Sequence, residues 1–176
     1  MKKLSVSLKE SRFVDLINKK FTDEIRKEDL IGNLQKLKPV DIGTSVLWAD
    51  DDLCDDGEYL FTFDEVTDML KGSEWRLPTV SEVEELKNYK IDYRDGKYIF
   101  TNNGKSLTFY PHGYINVFEK SEGIQFPHEV DCWTADVDNY DVIRYSIFSR
   151  TLNIGSFPFP VVNKESKLSA RLVKDK

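Results

Sequence analysis

The hydrophobic pattern changes period near residue 90, and that change limits the fold more than any other feature of the chain. Upstream of it the signals are helical. Thr62 is followed three positions on by Glu65, the reciprocal arrangement that satisfies two backbone N–H groups at a helix start. Val66, Met69 and Leu70 then make an apolar face, and Gly72 supplies a stop, so a helix is expected over 63–71. Thr79 and Glu82 repeat the box ahead of Val80, Val83 and Leu86, giving a second helix over about 80–88. Downstream the period is two. Lys97–Phe100 and Ser106–Phe109 alternate on either side of Asn102-Asn103-Gly104, where Asn-Gly supplies the positive φ angles of a tight hairpin turn. Residues 142–148 read as another strand, and residues 168–173 as a closing one that alternates apolar and polar. A short strand pair with a glycine turn, 40–43 and 45–48, precedes the helices. Residues 149–167, with Asn153, Gly155, Pro158 and Pro160, read as a long loop. Helices first and strands later favour an α+β fold over a doubly wound sheet.

The 176 residues suffice for one ordinary domain with a small appendage and a core that needs no disulfide staples. Charge divides the chain. Residues 1–40 carry 10 Lys/Arg against 6 Asp/Glu, and the rest carry 15 against 25, so the net −6 hides a basic arm on an acidic body. With the change in composition near Pro39, this divides the chain into a helical arm, 1–38, and a main domain, 39–176. In the arm Ser7 and Glu10 make a third capping box. Phe13, Leu16, Ile17 and Phe21 follow at helical spacing, with Thr22 or Asp23 restarting the helix and Gly32 as its expected stop. Such a stripe either packs on its own domain or docks on a partner, another protein or further copies of this chain. The acidic balance disfavours nucleic acid as a partner. No run of apolar residues is long enough for a membrane span. Met1-Lys2-Lys3 is not followed by an apolar stretch, so no signal peptide is read, and a virion or cytoplasmic location is expected, with the cell surface as the alternative.

The residues argue against several chemistries. Cys54 and Cys132 lie 78 positions apart, in no metal or redox motif. The reading is two thiols, with a single long-range disulfide as the alternative. Only His112 and His128 are present, and neither stands in a nucleophile–base pattern. Phosphate-cradling glycine motifs are missing. The acidic run Asp50-Asp51-Asp52, Asp55-Asp56 and Glu58 offers the hard oxygens that Ca²⁺ prefers, but as an EF-hand loop from Asp52 it places Cys54 at the third position and Phe63 at the twelfth. A solvated acidic loop is the expectation. Asp51, Asp52, Asp55 and Asp56 are the weak cation candidates, and no cofactor is expected beyond that Ca²⁺ alternative. Trp48, Trp75, Leu77 and Trp133 read as core, Pro78 as fixing the turn before Thr79, and Arg76 as one half of a structural pair. The aromatics of the irregular stretches, Tyr114, Phe118, Tyr140, Phe157 and Phe159, together with His128, are the ligand-binding candidates, because loop aromatics give large rigid contact area at low entropy cost.

Several blocks, in order, resemble a bacterial family, the Fibrobacter succinogenes major paralogous domain. They are Val40-Asp41-Ile42-Gly43-Thr44-Ser45-Val46-Leu47-Trp48-Ala49; Trp75-Arg76-Leu77-Pro78-Thr79 with Glu82, Glu85 and Leu86; Asn103 to Pro111 with Gly113-Tyr114; Cys132-Trp133-Thr134-Ala135; and Ala170-Arg171-Leu172-Val173. The likeness covers about residues 39–174 and omits the arm. It implies a C-type-lectin-like domain with two helices, a hairpin-rich antiparallel sheet whose termini pair, and long loops on one face. Folds of this kind serve as surface adhesins, as receptor-binding tips of phages and as formylglycine-generating enzymes. The expectation drawn here is a non-catalytic binding module, displayed by its arm on a larger assembly such as a phage particle. The alternatives are a surface or secreted glycan- or protein-binding protein and an enzyme of the formylglycine-generating type. The paired signatures of calcium-dependent sugar binding are absent, for Trp133 is followed by Thr134-Ala135, although Asp136, Asp138 and Asp141 lie close by.

Overall fold

The computed structural model describes residues 32–54, 57–116, 123–125, 127–138, 141–147 and 161–176. Among them nine strands in three small antiparallel sheets, two capped α-helices and a helical turn over 32–36 form a mixed α+β architecture. No helix among the described residues is long and apolar enough to cross a membrane.

The first sheet joins the two ends of the main domain. β1 (Pro39–Val40) pairs with β2 (Val46–Ala49), and β2 pairs with β9 (Val173–Asp175) in the register Trp48↔Val173. The expected strand over 40–43 is shorter than its apolar content suggested. Side chains hold the connecting loop instead: Asp41 accepts the Gly43 N–H at 2.9 Å, and Glu85 accepts both the N–H and the hydroxyl of Ser45. Gly43 sits at φ +96°, and a Cβ there would come within 2.7 Å of Asn102 Nδ2, the group that donates to the Ile42 carbonyl.

Both helices start where their boxes place them. α1 (Phe63–Met69) is capped by Thr62 and Glu65 and α2 (Val80–Glu85) by Thr79 and Glu82, each box complete in both directions. A 3₁₀ turn, Leu86–Asn88, extends α2 to the expected end. Val66, Val83 and Leu86 are buried. The second sheet is the meander β3 (Lys90–Arg94), β4 (Lys97–Asn102) and β5 (Lys105–Phe109). Asn103 and Gly104 both take positive φ in the β4–β5 turn. Asp95-Gly96 does the same between β3 and β4, a turn signal as clear as Asn-Gly that the alternation argument passed over. In the third sheet β7 (Asp141–Ile147) lies between β6 (Val130–Asp138) and β8 (Val161–Val162), with a register shift between Trp133 and Val137. β8 falls inside the stretch expected to be a loop.

The closing segment differs most from its expectation. Only its end is a ladder strand, and Leu168 to Val173 are all buried. Alternation of apolar and polar residues normally marks one wet face. Here both faces are covered, because the segment runs between the two halves of the core. Leu168, Ala170 and Leu172 pack with Phe61, Trp75 and Trp133, while Val173 packs with Trp48, Phe100 and Phe109. The segment is stitched to several neighbours by main-chain bonds: Phe61 with Leu168, Ala170 with Leu53, Leu172 with Ala49 and Val173 with Arg76. The arm's last turn also departs from expectation. Residues 32–36 are helical, so Gly32 lies in a helical turn where a stop was expected; Leu34 is buried and Leu37 half-buried against the core, which holds that turn in place.

Candidate functional site

The alternation that marked 168–173 and 142–148 as strands carries one arginine in each, Arg171 and Arg144, and the two organise the polar interior. Arg171 is fully buried. Its Nε donates to Asp52 Oδ1 at 2.7 Å, one terminal nitrogen to the Ala49 carbonyl at 2.9 Å and the other to the Thr108 carbonyl at 2.6 Å, and its plane lies 4.5 Å from the Phe109 ring centroid. Asp52 is therefore not part of a solvated acidic loop. It is 2% exposed, because its carboxylate is the counter-charge that a buried guanidinium requires. Burial alone would raise the Asp52 carboxyl; the Arg171 charge and the facing His112 imidazole outweigh that and hold it below the ordinary carboxylate range. His112 Nε2 stands 3.4 Å from Asp52 Oδ2 without hydrogen-bond geometry. Its ring stacks on Tyr59 at 4.4 Å with 10° between planes, and the neighbouring Cys54 thiol raises the Tyr59 phenol. Cys54 and Cys132 are not joined in a disulfide; Cys132 is buried and Cys54 half-buried. Of the weak cation candidates, Asp51 is exposed and accepts the Asp52 N–H, whereas Asp55 and Asp56 lie outside the described residues.

Arg144 builds the second centre, on the face of β6 and β7 where two of the expected ligand residues fall. It pairs with the buried Asp131 of β6, and its guanidinium carbon lies 4.3 Å from the Tyr114 ring centroid. Glu129 completes the group. Burial, and then the Asp131 charge, raise its carboxyl, with Arg144 opposing. Asp131 is thus the carboxylate paired with the guanidinium, over an aromatic base, and Glu129 adds a second negative charge nearby. The main chain fixes the arrangement: Gly113 N–H donates to Glu129 O, Tyr114 exchanges two bonds with Gln125, and Ser169 N–H donates to Asp131 O. Tyr98 on β4 donates to the His128 carbonyl at 3.1 Å, tying this face to the second sheet.

Of the loop aromatics, Tyr114 is 7% exposed, so its ring forms the floor beneath Arg144 rather than a projecting contact. His128 is exposed. Phe118, Tyr140, Phe157 and Phe159, and the arm residues Phe13, Leu16, Ile17 and Phe21, lie outside the described residues. Residue-type reasoning missed Arg144, Asp131, Glu129 and the partnership of Arg171 with Asp52. The available signal was a single charged residue inside each otherwise apolar strand pattern, which an interior position makes costly unless it is paired.

Arg76 is the structural pair expected of it. It is bidentate to Glu82, at 2.7 and 2.9 Å, and reaches Asp175 at 2.8 Å. Compared with known proteins, the chain matches no family model, no curated sequence and no solved structure.

Proposed function

We propose that this chain is a non-catalytic recognition module of C-type-lectin-like build, carried by its N-terminal arm on a larger assembly such as a phage particle. The observation that supports this reading is the convergence of sequence blocks spread over more than a hundred positions. Ala49 N–H donates to the Leu172 carbonyl, Arg76 and Val173 exchange two bonds, Trp133 N–H donates to the Ser169 carbonyl and Ala135 N–H to the Pro78 carbonyl. Four of the blocks that carry the family resemblance therefore meet around the closing segment. That is the arrangement expected of a domain whose first and last strands pair and whose intervening loops are free to vary. The platform of Tyr114, Arg144, Asp131 and Glu129 is a rigid base of the kind on which recognition loops are carried.

The test uses the full chain. Fluorescently labelled protein is cosedimented with particles from the native source and applied to an array of surface polysaccharides. Both are repeated with a Phe13→Asp, Leu16→Asp, Ile17→Asp, Phe21→Asp variant and with Arg144→Ala. The expected result is that the arm variant loses particle association and keeps any polysaccharide signal, while Arg144→Ala does the reverse. The reading fails if neither substitution affects either association. Polysaccharide binding without particle association favours the free-standing glycan-binding alternative.

A further inference from the structure

β3 is an outer strand of the second sheet. Its register with β4 runs unbroken from Lys90↔Thr101 to Arg94↔Lys97. Among the described residues no strand lies on its other side. The opposite edge of this sheet is engaged, because the Thr108 carbonyl of β5 accepts from Arg171. The two-residue Asp95-Gly96 turn closes on Arg94 and Lys97, so hydrogen-bonded and non-hydrogen-bonded pairs alternate from there. Lys90, Asp92 and Arg94 therefore turn their main-chain groups toward β4, and Ile91 and Tyr93 turn theirs away from it. A row of outward N–H and C=O groups is a template for another strand. β3 has neither a proline nor a bulge to prevent such pairing. It has a charge pattern instead. Lys90, Asp92 and Arg94 alternate in sign on its outer face, with Lys90 Nζ 3.1 Å from Asp92 Oδ2. Ile91 and Tyr93 share the other face. Ile91 packs on the core, whereas Tyr93 reaches past it, 44% exposed and tilted against Tyr98 with ring centroids 4.9 Å apart.

We propose that the occupant of this edge is β3 of a second copy, paired antiparallel about a two-fold axis at Ile91, so that two meanders join into one sheet. Charge complementarity selects both the occupant and the register. With the axis at Ile91, Lys90 faces the partner's Asp92 and Asp92 faces the partner's Lys90. Charges then alternate along each strand and across the axis. On the other face Ile91 meets the partner's Ile91, and Tyr93 meets the partner's Tyr89. Tyr89 is extended, at φ −106° and ψ 156°, so the strand direction begins one residue before β3. Ile91 exchanges main-chain bonds with the partner's Ile91, and the Tyr93 N–H donates to the partner's Tyr89 carbonyl. The Tyr89 N–H takes no part, since it donates to Leu86 O. Moving the axis to Asp92 sets Asp92 against the partner's Asp92 and Lys90 against the partner's Arg94. Like charges directly opposite are destabilising. Moving it to Tyr93 sets Ile91 against the partner's Asp95, which has left the strand at φ +52°. A one-residue slip would lay the core face against the outer face. The inference goes beyond the recognition reading and does not depend on it, because it concerns how many copies act together.

The experiment is sedimentation velocity of the purified full chain from about 1 to about 500 µM, with amide exchange read at Ile91 and Tyr93. A five-residue edge is a small interface, so association belongs to the upper part of that range. The expected result is monomer at the lowest concentration and dimer at the highest, with exchange at both amides slowing by about tenfold between them. Lys90→Glu and Asp92→Lys each set like charges across the axis, and each should weaken the dimer by about tenfold. Mixed in equal amounts, the two variants should pair as well as the wild type does. The double variant Lys90→Glu, Asp92→Lys should pair with itself equally well. Tyr93→Pro removes an outward N–H without touching the β4 ladder and should abolish the dimer. Circular dichroism checks the fold of each variant. Should Tyr93→Pro fail to fold, the charge variants decide, because Lys90 and Asp92 lie on the outer face of the strand. A monomer throughout the range overturns the proposal, and slow exchange in that monomer would give the edge to another part of this chain. A dimer indifferent to the charge variants lies on a different surface and also overturns it. So does a dimer strengthened by Lys90→Glu, which would put the axis at Asp92. None of these outcomes bears on particle or polysaccharide association, so this inference and the recognition reading fail separately.

Discussion

Arg171 and Arg76 make similar lists of contacts in opposite surroundings. Arg171 reaches Asp52, 119 positions away, whereas Arg76 holds Glu82, six positions on, and Asp175, 99 positions on. Arg171 and Asp52 have side chains with no exposure, whereas the Arg76 side chain is 39% exposed and that of Asp175 is 85% exposed. In the interior, water cannot replace a lost partner, so the pair is costly to break whatever its net worth. At the rim, solvent and salt screen the attraction, and the geometry of the fork contributes more than its charge. Buried and exposed ion pairs with the same hydrogen-bond lengths are therefore different structural devices.

The largest expected effect follows from breaking the inner pair. Arg171→Ala leaves the Asp52 carboxylate buried beside only His112 and leaves the Ala49 and Thr108 carbonyls without this donor. Breaking a buried pair in this way costs about 3–5 kcal/mol. Urea unfolding at neutral pH checks it, and a loss below about 1 kcal/mol would mean that water reaches Asp52 readily. The same pair sets an acid limit. The Asp52 carboxyl lies below its ordinary value of 3.8 in the folded chain, so its contribution is complete above that value and is lost as pH falls through the folded one. Asp52→Asn should therefore destabilise most at neutral pH, and its stability profile should converge on the wild type under strongly acid conditions. A constant difference across the acid range would contradict this.

The outer pair gives a smaller and differently shaped response. Arg76→Ala removes the fork on Glu82, but Glu82 still accepts the Thr79 N–H at 2.8 Å and keeps the helix cap. The expected cost is about 1 kcal/mol, reduced further in high salt, since a 39% exposed side chain is substantially screened. Glu82→Gln weakens the pair and the cap together and should cost more than Arg76→Ala. Thermal melting of both variants at low and high salt separates the two contributions.

The contrast also shows which parts of this fold could be read from residues alone. The caps at Thr62 and Thr79 and the Asn103-Gly104 turn were legible, because each depends on side chains within four positions of one another. The arginine reach from Trp75-Arg76-Leu77-Pro78-Thr79 to Glu82 is nearly as local, and its pairing was expected. Asp52, His112 and Arg171 were not legible as a group. They lie 59 or more positions apart, and nothing short-range distinguishes a buried aspartate from the five other acids near it. The alternation of Leu168 to Val173 misled for a related reason: a period of two reports that the faces differ, not that one of them is wet. Asp131 and Arg144 meet only through the register of β6 with β7, which period alone does not set.

The smallest effect concerns the half-buried Arg144 and its acidic neighbours. Asp131 takes the ion pair with Arg144, and at its neighbour Glu129 the balance seen at Asp52 is reversed: there the carboxyl is lowered, whereas Glu129 is raised by burial and by Asp131. A carboxyl raised by folding weakens the folded state once it ionises, so Glu129 opposes folding at neutral pH and ceases to do so as it protonates. Glu129→Gln should then stabilise the chain at pH 7, by less than about 1 kcal/mol because the group is only partly buried. The gain should shrink toward zero as pH falls through the carboxylate range, a slope opposite to that of Asp52→Asn. Melting temperatures of the two variants measured side by side against pH test this directly. If Glu129→Gln destabilises at neutral pH, Glu129 is a structural partner of Arg144 in its own right, and the platform then has no surplus negative charge to offer a ligand.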